Sequence, residues 1–141
     1  MKKNLYKLIW FGFPLTKLVY AYLAYTQNKE INNSLELINL LFMLIGITTC
    51  MISIIFSKKI FQKNFYESKI IKAFMGNKNA DDIYSKFPLY TMMLGLAETA
   101  ALFGFVQFII TGNLITGVML FALCFIAWLF NYPSNIESEE E

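Results

Sequence analysis

Residues 37–55 read LINLLFMLIGITTCMISII, an apolar run without a single charged side chain. An α-helix of about 20 mostly apolar residues is long enough to cross the hydrocarbon core of a bilayer. The run therefore predicts a membrane-spanning helix, which we place at about residues 35–56. It makes an integral membrane protein the starting hypothesis for the whole chain.

The composition supports that hypothesis. Of the 141 residues, 57% are hydrophobic and 16% are charged, whereas soluble domains carry roughly 25% charged residues. A soluble chain of this length has too small an interior to hide so many apolar side chains. The composition thus disfavours a soluble globular enzyme and predicts a single domain, residues 1–141, with the lipid bilayer as its solvent.

Three further segments resemble the first run, at about residues 5–25, 87–111 and 114–132. The segment at 5–25 contains Lys17 and Pro14, and a membrane helix tolerates such a proline if neighbours satisfy the freed carbonyl. Only Gly112 and Asn113 separate the last two segments, and so short a connection requires an antiparallel hairpin. We predict an all-α fold, a polytopic transmembrane four-helix bundle made of two antiparallel hairpins.

Lysine distribution predicts the orientation of the bundle. Nine lysines lie in the N-terminal tail and the long loop 57–86, against Lys29 alone on the other side. Because lysine-rich flanks stay in the cytoplasm, we expect both termini and this loop to be cytoplasmic, in a bacterial inner membrane. The loop could hold a short helix at about 59–75, and the acidic residues 135–141 are predicted to be a disordered tail. Candidate ligands for anionic lipid headgroups are Lys58, Lys59 and Lys63.

Missing residue types argue against several chemistries. The chain has no histidine and no arginine, so imidazole bases, histidine zinc sites and bidentate phosphate recognition are unavailable. Cys50 and Cys124 lie within apolar runs and are interpreted as core residues. A net charge of +2 is too small to suggest nucleic-acid binding. We predict no enzyme activity, no cofactor, no metal and no nucleic-acid partner.

Glu98 is the most informative residue, because it lies within the apolar run MMLGLAETAALFGFVQFII at residues 92–110. A position about eleven residues into the segment is roughly 16 Å deep, near the bilayer midplane. A charge there costs at least about 2.5–3.5 kcal/mol unless it is paired, protonated or hydrated. Lys17 lies at nearly the same depth on a segment that runs in the same direction. The sequence therefore predicts a Lys17–Glu98 pair.

Other polar and small residues surround this predicted pair. Thr91 lies seven residues before Glu98 on the same helical face, and Thr16 is next to Lys17. Hydroxyl groups from the second segment would complete an intramembrane polar centre, namely those of Thr48, Thr49 and Ser53. The small residues around Glu98 predict close helix packing within the bundle, with self-association as the alternative. They form two pairs, Ala97 with Ala101 and Ala100 with Gly104. Gln107 should face the opposite side and bind another helix, while Trp10 and Trp128 are expected in an interfacial aromatic belt.

Three functions are compatible with these residues. In the first, the chain is a structural or accessory membrane protein and the Lys17–Glu98 pair sets which helices meet. In the second, Glu98 binds a proton or cation in a transport subunit. In the third, the basic loop binds anionic lipid. The partners expected are the lipid bilayer and either a second copy of the chain or another membrane protein.

Two family resemblances bear on these functions. Residues 96–104, LAETAALFG, resemble the carboxylate helix of rotary ATPase c (proteolipid) subunits, in which a glutamate binds H⁺ or Na⁺. The glycine-rich partner helix of that family has no counterpart here, since the second segment contains only Gly46. Residues 86–134 resemble a family of small, uncharacterised bacterial four-helix integral membrane proteins. The shared pattern comprises KFPLY at 86–90, Glu98 to Gly104, ITGN at 110–113 and Pro133-Ser134, and it implies four membrane helices.

Overall fold

The computed structural model describes residues 2–27, 36–60, 62, 65, 69, 72–73 and 83–133. Four long helices make up almost all of these residues: α1 (Lys2–Tyr25), α2 (Glu36–Lys59), α3 (Ile83–Thr111) and α4 (Leu114–Phe130). The described ranges contain no β-strand. The predicted all-helical architecture is therefore confirmed for this part of the chain.

Some helix ends differ from the sequence prediction. α3 begins four residues earlier than the apolar run, because hydropathy marks the membrane-compatible stretch and not the start of the helix. α4 ends at Phe130, since the Asn131 N–H caps the carbonyls of the last turn and Pro133 follows. In the loop 57–86, the isolated described positions 65, 69, 72 and 73 are helical. At the start of the predicted loop helix, Lys59 ends α2, and residues 60 and 62 are not helical. Its remaining positions, including Lys63, and the acidic tail from residue 135 lie outside the described residues.

Three of the four helices are long and apolar enough to cross a membrane, over Asn4–Tyr25, Glu36–Lys59 and Lys86–Thr111. α4 is the most apolar of the four helices but has only 17 residues. Large hydrophobic side chains point away from the bundle on every helix, and Leu8 and Ile115 are 70% and 75% exposed. An apolar exterior of this kind suggests insertion into a bilayer.

α3 is the central helix and packs against the other three, whereas the backbone of α1 comes close to that of α4 at few positions. The described parts of α1 and α2 do not pack closely against each other, so the first of the two predicted hairpins is not formed as a packed helix pair. Around the middle of α3, Ala97, Ala100 and Ala101 are buried against helices α2 and α4. Cys50 and Cys124 are free, buried members of the same cluster. The small residues of α3 therefore serve close packing within the bundle, as the sequence predicts.

The two residues of the α3–α4 turn, Gly112 and Asn113, have different structural roles. Gly112 has φ +69°, a left-handed conformation that glycine adopts without steric cost. Asn113 keeps an extended conformation, and its side-chain oxygen accepts a hydrogen bond of 3.2 Å from the Thr116 N–H. Asn113 thus begins α4 as its N-cap, and the predicted antiparallel hairpin is confirmed.

Below this turn, the backbones of α3 and α4 approach each other at Gly104 and Gly117. A Cβ atom added to Gly104 would lie 3.0 Å from the Gly117 carbonyl oxygen, a backbone atom that cannot move aside. Gly95, on the same helix, has open space at the corresponding position. The glycine at position 104 is therefore required by packing.

We expect Gly104→Ala to lower the free energy of unfolding by about 1–3 kcal/mol, because it forces α3 and α4 apart. Gly95→Ala is the matched control. It should leave stability unchanged or raise it by up to about 1 kcal/mol, since alanine is the better helix former. Thermal unfolding in detergent, followed by circular dichroism, measures both. Equal effects of the two substitutions would contradict the tight α3–α4 contact.

A stacked tryptophan pair joins α1 to α4. The rings of Trp10 and Trp128 lie 4.0 Å apart and nearly parallel, and both residues are buried. Each indole N–H donates a 2.8 Å hydrogen bond to the backbone carbonyl of the other tryptophan. The expected interfacial belt is therefore wrong for these two residues, because their polar N–H groups find partners inside the bundle.

The two carbonyls in this reciprocal arrangement differ in their other partners. The Trp10 carbonyl would normally accept the N–H of residue 14, but that residue is Pro14, which has none. The Trp128 carbonyl, in the last turn of α4, also accepts the Asn131 N–H at 3.2 Å. The Trp128 indole thus compensates for the proline, whereas the Trp10 indole adds a second donor at a helix end.

A second polar cluster lies at the same, C-terminal end of α4. Asn131 is buried and hydrogen-bonds two side chains of α2, Ser53 at 2.7 Å and Ser57 at 2.6 Å. Its carbonyl accepts a 2.9 Å hydrogen bond from the Tyr90 hydroxyl of α3. The residue that ends α4 therefore also ties it to α2 and α3.

Candidate functional site

The structure brings Lys17 of α1 and Glu98 of α3 together in an ion pair. Lys17 Nζ lies 2.6 Å from Glu98 Oε2, and the two side chains are 10% and 14% exposed. A charge-assisted hydrogen bond of this length is among the strong ones in proteins. Since the two charges cancel, the pair is the cheapest state for either group in apolar surroundings.

The backbone of α1 completes the surroundings of the pair. The Phe13 carbonyl lies 3.2 Å from Lys17 Nζ and accepts a second hydrogen bond from the ammonium group. The Thr16 hydroxyl lies between this carbonyl, at 2.7 Å, and Glu98 Oε1, and its single proton can be donated to only one of the two at a time. Lys17 therefore holds one carboxylate oxygen, and the Thr16 hydroxyl is in contact with the other.

α4 contributes Cys124, a member of the site that the sequence reasoning assigned only to the core. Its Sγ atom lies 3.9 Å from Glu98 Oε2, the distance of a weak thiol hydrogen bond. Gly117, Leu120, Cys124 and Ala127 are all buried, so their spacing along α4 marks the inward face of that helix. That spacing is the sequence signal that could have shown that Cys124 faces the inside of the bundle.

Three of the predicted site residues lie elsewhere. Thr91 donates to the Phe87 carbonyl at 3.0 Å, Thr48 to Leu44 at 2.7 Å and Thr49 to Gly46 at 3.0 Å. Each hydroxyl bonds the carbonyl of its own helix, and Thr48 is exposed on the outside of α2. Ser53 belongs to the Asn131 cluster. The polar centre therefore consists of Thr16, Lys17, Glu98 and Cys124.

Gln107 forms a separate cluster toward the α3–α4 turn. Its Nε2 donates to Asn39 of α2 at 2.5 Å and to Thr111 at 2.8 Å. The predicted contact of Gln107 with another helix is confirmed. Among the described residues, no hydrogen-bond donor reaches its buried Oε1 atom, which faces Gly117, where an added Cβ would lie 3.5 Å away.

The lysines at the end of α2 belong neither to the polar centre nor to the Gln107 cluster. Lys58 and Lys59 are exposed, and Lys58 Nζ lies 5.2 Å from the centre of the Phe130 ring, a cation–π contact. Lys63, the third predicted headgroup ligand, lies outside the described residues. Two of the three candidates thus occupy the same end of the bundle as the last residues of α4.

The chemistry open to the polar centre follows from its donor set. Within the described residues, no group of three or more His, Cys, Asp or Glu side chains comes together as a metal site. Glu98 can exchange a proton or bind a small cation only if Lys17 moves or gives up its own proton. No protein-family model, curated protein or solved structure matches the chain.

Proposed function

We propose that the chain is an integral membrane protein of structural or accessory type, in which the Lys17–Glu98 pair holds α1 against the rest of the bundle. All four helices span the bilayer in this proposal, and α4 does so with 17 residues, or about 25 Å. The resemblance to small bacterial four-helix membrane proteins agrees with this arrangement.

Lysine positions support an orientation with both termini in the cytoplasm of a bacterial cell. The N-terminus of α1, with Lys2 and Lys3, and the Lys58–Lys59 end of α2 lie on one side of the bundle. The opposite side carries the turn at Gly112 and Asn113, which has no charge. This asymmetry is the one that places basic flanks inside.

The observation that carries the structural role is that both oxygens of the Glu98 carboxylate contact side chains of α1. Glu98 Oε2 binds Lys17 and Oε1 contacts Thr16, so α1 supplies a partner for each oxygen of a carboxylate on α3. A transport site needs a carboxylate that can release its partner during each cycle. A carboxylate held in this way instead fixes the register of two helices.

Carbodiimide labelling tests this proposal, because dicyclohexylcarbodiimide adds to protonated carboxyl groups in apolar surroundings. We expect little labelling of Glu98 in the wild-type protein, where the carboxylate is held in the ion pair with Lys17. Lys17→Met should make Glu98 the dominant labelled residue, since a lone buried carboxyl group is neutral. Mass spectrometry of the labelled peptide measures the ratio, and the Lys17→Met/Glu98→Gln double variant supplies the blank.

The second candidate function is proton or cation binding by Glu98, and it is favoured by the exposure of Thr16 beside the carboxylate. That function requires rapid labelling of wild-type Glu98 and protection by Na⁺ or by high pH. It also requires ion flux in proteoliposomes that Glu98→Gln abolishes while the protein stays folded. Either result would replace the structural role.

Anionic-lipid binding is the third candidate function, and it is favoured by the exposed side chains of Lys58 and Lys59. Each such lysine near an anionic membrane surface contributes about 1 kcal/mol to the free energy of membrane binding. The same lysines would orient the bundle in the membrane without binding a particular lipid. Headgroup binding therefore ranks below the role carried by the ion pair.

A further inference from the structure

α1 is attached to the bundle unevenly on the two sides of Pro14. Before the proline, the buried residues Tyr6 and Trp10 pack against aromatic side chains of α3 and α4. After the proline, in residues 15–25, Lys17 is the only residue that is buried, and most of the others are exposed. We call residues 15–25 the arm. The arm therefore buries less of its surface than the part of α1 that precedes it.

The contacts that hold the arm are few. The Tyr20 ring stacks on that of Phe105 in α3, with 5.6 Å between the ring centres. On the side of α4, Ala21 and Ala24 line an open space of about 300 Å³, so the arm and α4 lie apart there. Lys17 is the only charged residue of the arm. Its ion pair with α3 is therefore the strongest contact that holds the arm in place.

Pro14 makes the start of the arm a place where α1 can bend. Proline has no N–H, so the Trp10 carbonyl has no partner one turn further on and accepts the Trp128 indole N–H instead. Sharp bends in helices occur mostly at such positions. Because α4 already satisfies the carbonyl, a bend at Pro14 breaks no hydrogen bond at this position.

The Lys17 ammonium group spans this hinge. Its Nζ atom lies 2.6 Å from Glu98 Oε2 and 3.2 Å from the carbonyl of Phe13, which precedes the proline. One group thus joins the arm to α3 and to the other side of Pro14. While the pair is intact, the arm can turn away from α3 only by leaving two unpaired charges in apolar surroundings.

We propose that the arm is a hinged segment that the Lys17–Glu98 pair holds closed over the polar centre, and that loss of the pair lets it turn away from α3 about Pro14. The inference rests on the proposed structural role of the pair and adds what the pair restrains. The arm is about 16 Å long, so a turn of about 20° moves its end by about 6 Å. An open arm exposes Glu98, which is 14% exposed in the closed state.

Distances between spin labels measure the two parts of α1 separately. One pair of labels, at Tyr22→Cys and Ile115→Cys, reports the arm relative to α4. A second pair, at Leu8→Cys and Leu129→Cys, reports the part of α1 before Pro14. All four positions are exposed, and both buried native cysteines are replaced by alanine so that they take no label. Pulsed electron paramagnetic resonance in nanodiscs gives the distance distributions.

The variant to compare with the wild type is Lys17→Met/Glu98→Gln, which lacks the pair but leaves no unpaired charge and so stays folded. We expect its arm distance to shift by about 6 Å or to broaden over that range. The distance before the proline should not change, because the tryptophan pair remains. Adding Pro14→Ala should return the arm distance toward the wild-type value, since alanine restores the missing helical hydrogen bond.

An unchanged arm distance in the double variant would overturn the proposal. Equal shifts of both label pairs would overturn it as well, because α1 would then move as one rigid helix. Unfolding of Glu98→Gln separates this inference from the structural role of the pair. Lower stability with an arm that does not move in the double variant means that the pair is structural and the hinge is wrong. Wild-type stability of Glu98→Gln removes the structural role itself, and the inference with it.

Discussion

Replacing Glu98 with Gln is expected to lower the free energy of unfolding by about 3–5 kcal/mol, because it leaves the Lys17 ammonium group buried without a counter-charge. For a chain of this length, such a loss corresponds to a drop in Tm on the order of 10 °C. Thermal unfolding in detergent and the yield of monodisperse protein measure it. Lys17→Met should also lower stability, since the Glu98 carboxyl group loses its ion-pair partner and must take up a proton to stay buried between α1, α3 and α4.

The double variant Lys17→Met/Glu98→Gln separates the loss of the pair from the cost of an unpaired charge. Removing both charges leaves an apolar methionine beside a neutral amide that can still accept from Thr16. We expect most of the lost stability to return, to within about 1 kcal/mol of the wild type. Glu36→Gln, at an exposed carboxylate in the first turn of α2, should change stability by less than about 0.5 kcal/mol.

Two outcomes would contradict the structural role. Wild-type stability in Glu98→Gln would mean that α1 does not depend on the pair. Additive losses in the double variant would mean that the two residues act independently, although they lie 2.6 Å apart. Full stability of the double variant with loss of ion flux would instead point to transport.

Depth within an apolar run was enough to pair Lys17 with Glu98 from the sequence. Two opposite charges at the same depth in adjacent membrane helices have few other partners, so each is expected to pair with the other. Hydroxyl groups behave differently. Thr48, Thr49 and Thr91 each satisfy themselves on the carbonyl three or four residues back, so their depth does not indicate what they contact.

The four helices could also be predicted from the sequence, whereas the contact that attaches α1 to α4 could not. The spacing of apolar residues does not show that Trp10 and Trp128, distant in sequence, would each donate to the other's carbonyl. Tryptophan near a helix end is typical of the membrane interface, and this general tendency predicted the wrong environment. The clue lay in Pro14, whose missing N–H leaves one carbonyl to be satisfied by another helix.

That clue yields a prediction for the tryptophan pair. Trp128→Phe removes the indole N–H that bonds the Trp10 carbonyl, and Pro14 offers no replacement. We expect a loss of about 1–3 kcal/mol from the unpaired carbonyl and about 0.5–1.5 kcal/mol from weaker stacking. Trp10→Phe weakens the same stacking but should lower stability by less. It removes one donor to the Trp128 carbonyl, which still accepts the Asn131 N–H at 3.2 Å.

Pro14→Ala distinguishes this explanation from a simple loss of aromatic packing. Alanine restores an N–H at position 14, so the Trp10 carbonyl regains a partner within α1. The penalty of Trp128→Phe should then fall by about 1–2 kcal/mol in the Pro14→Ala background, while that of Trp10→Phe stays the same. Unfolding of the four single and double variants measures the coupling. Equal penalties for both tryptophans in both backgrounds would show that stacking alone joins α1 to α4.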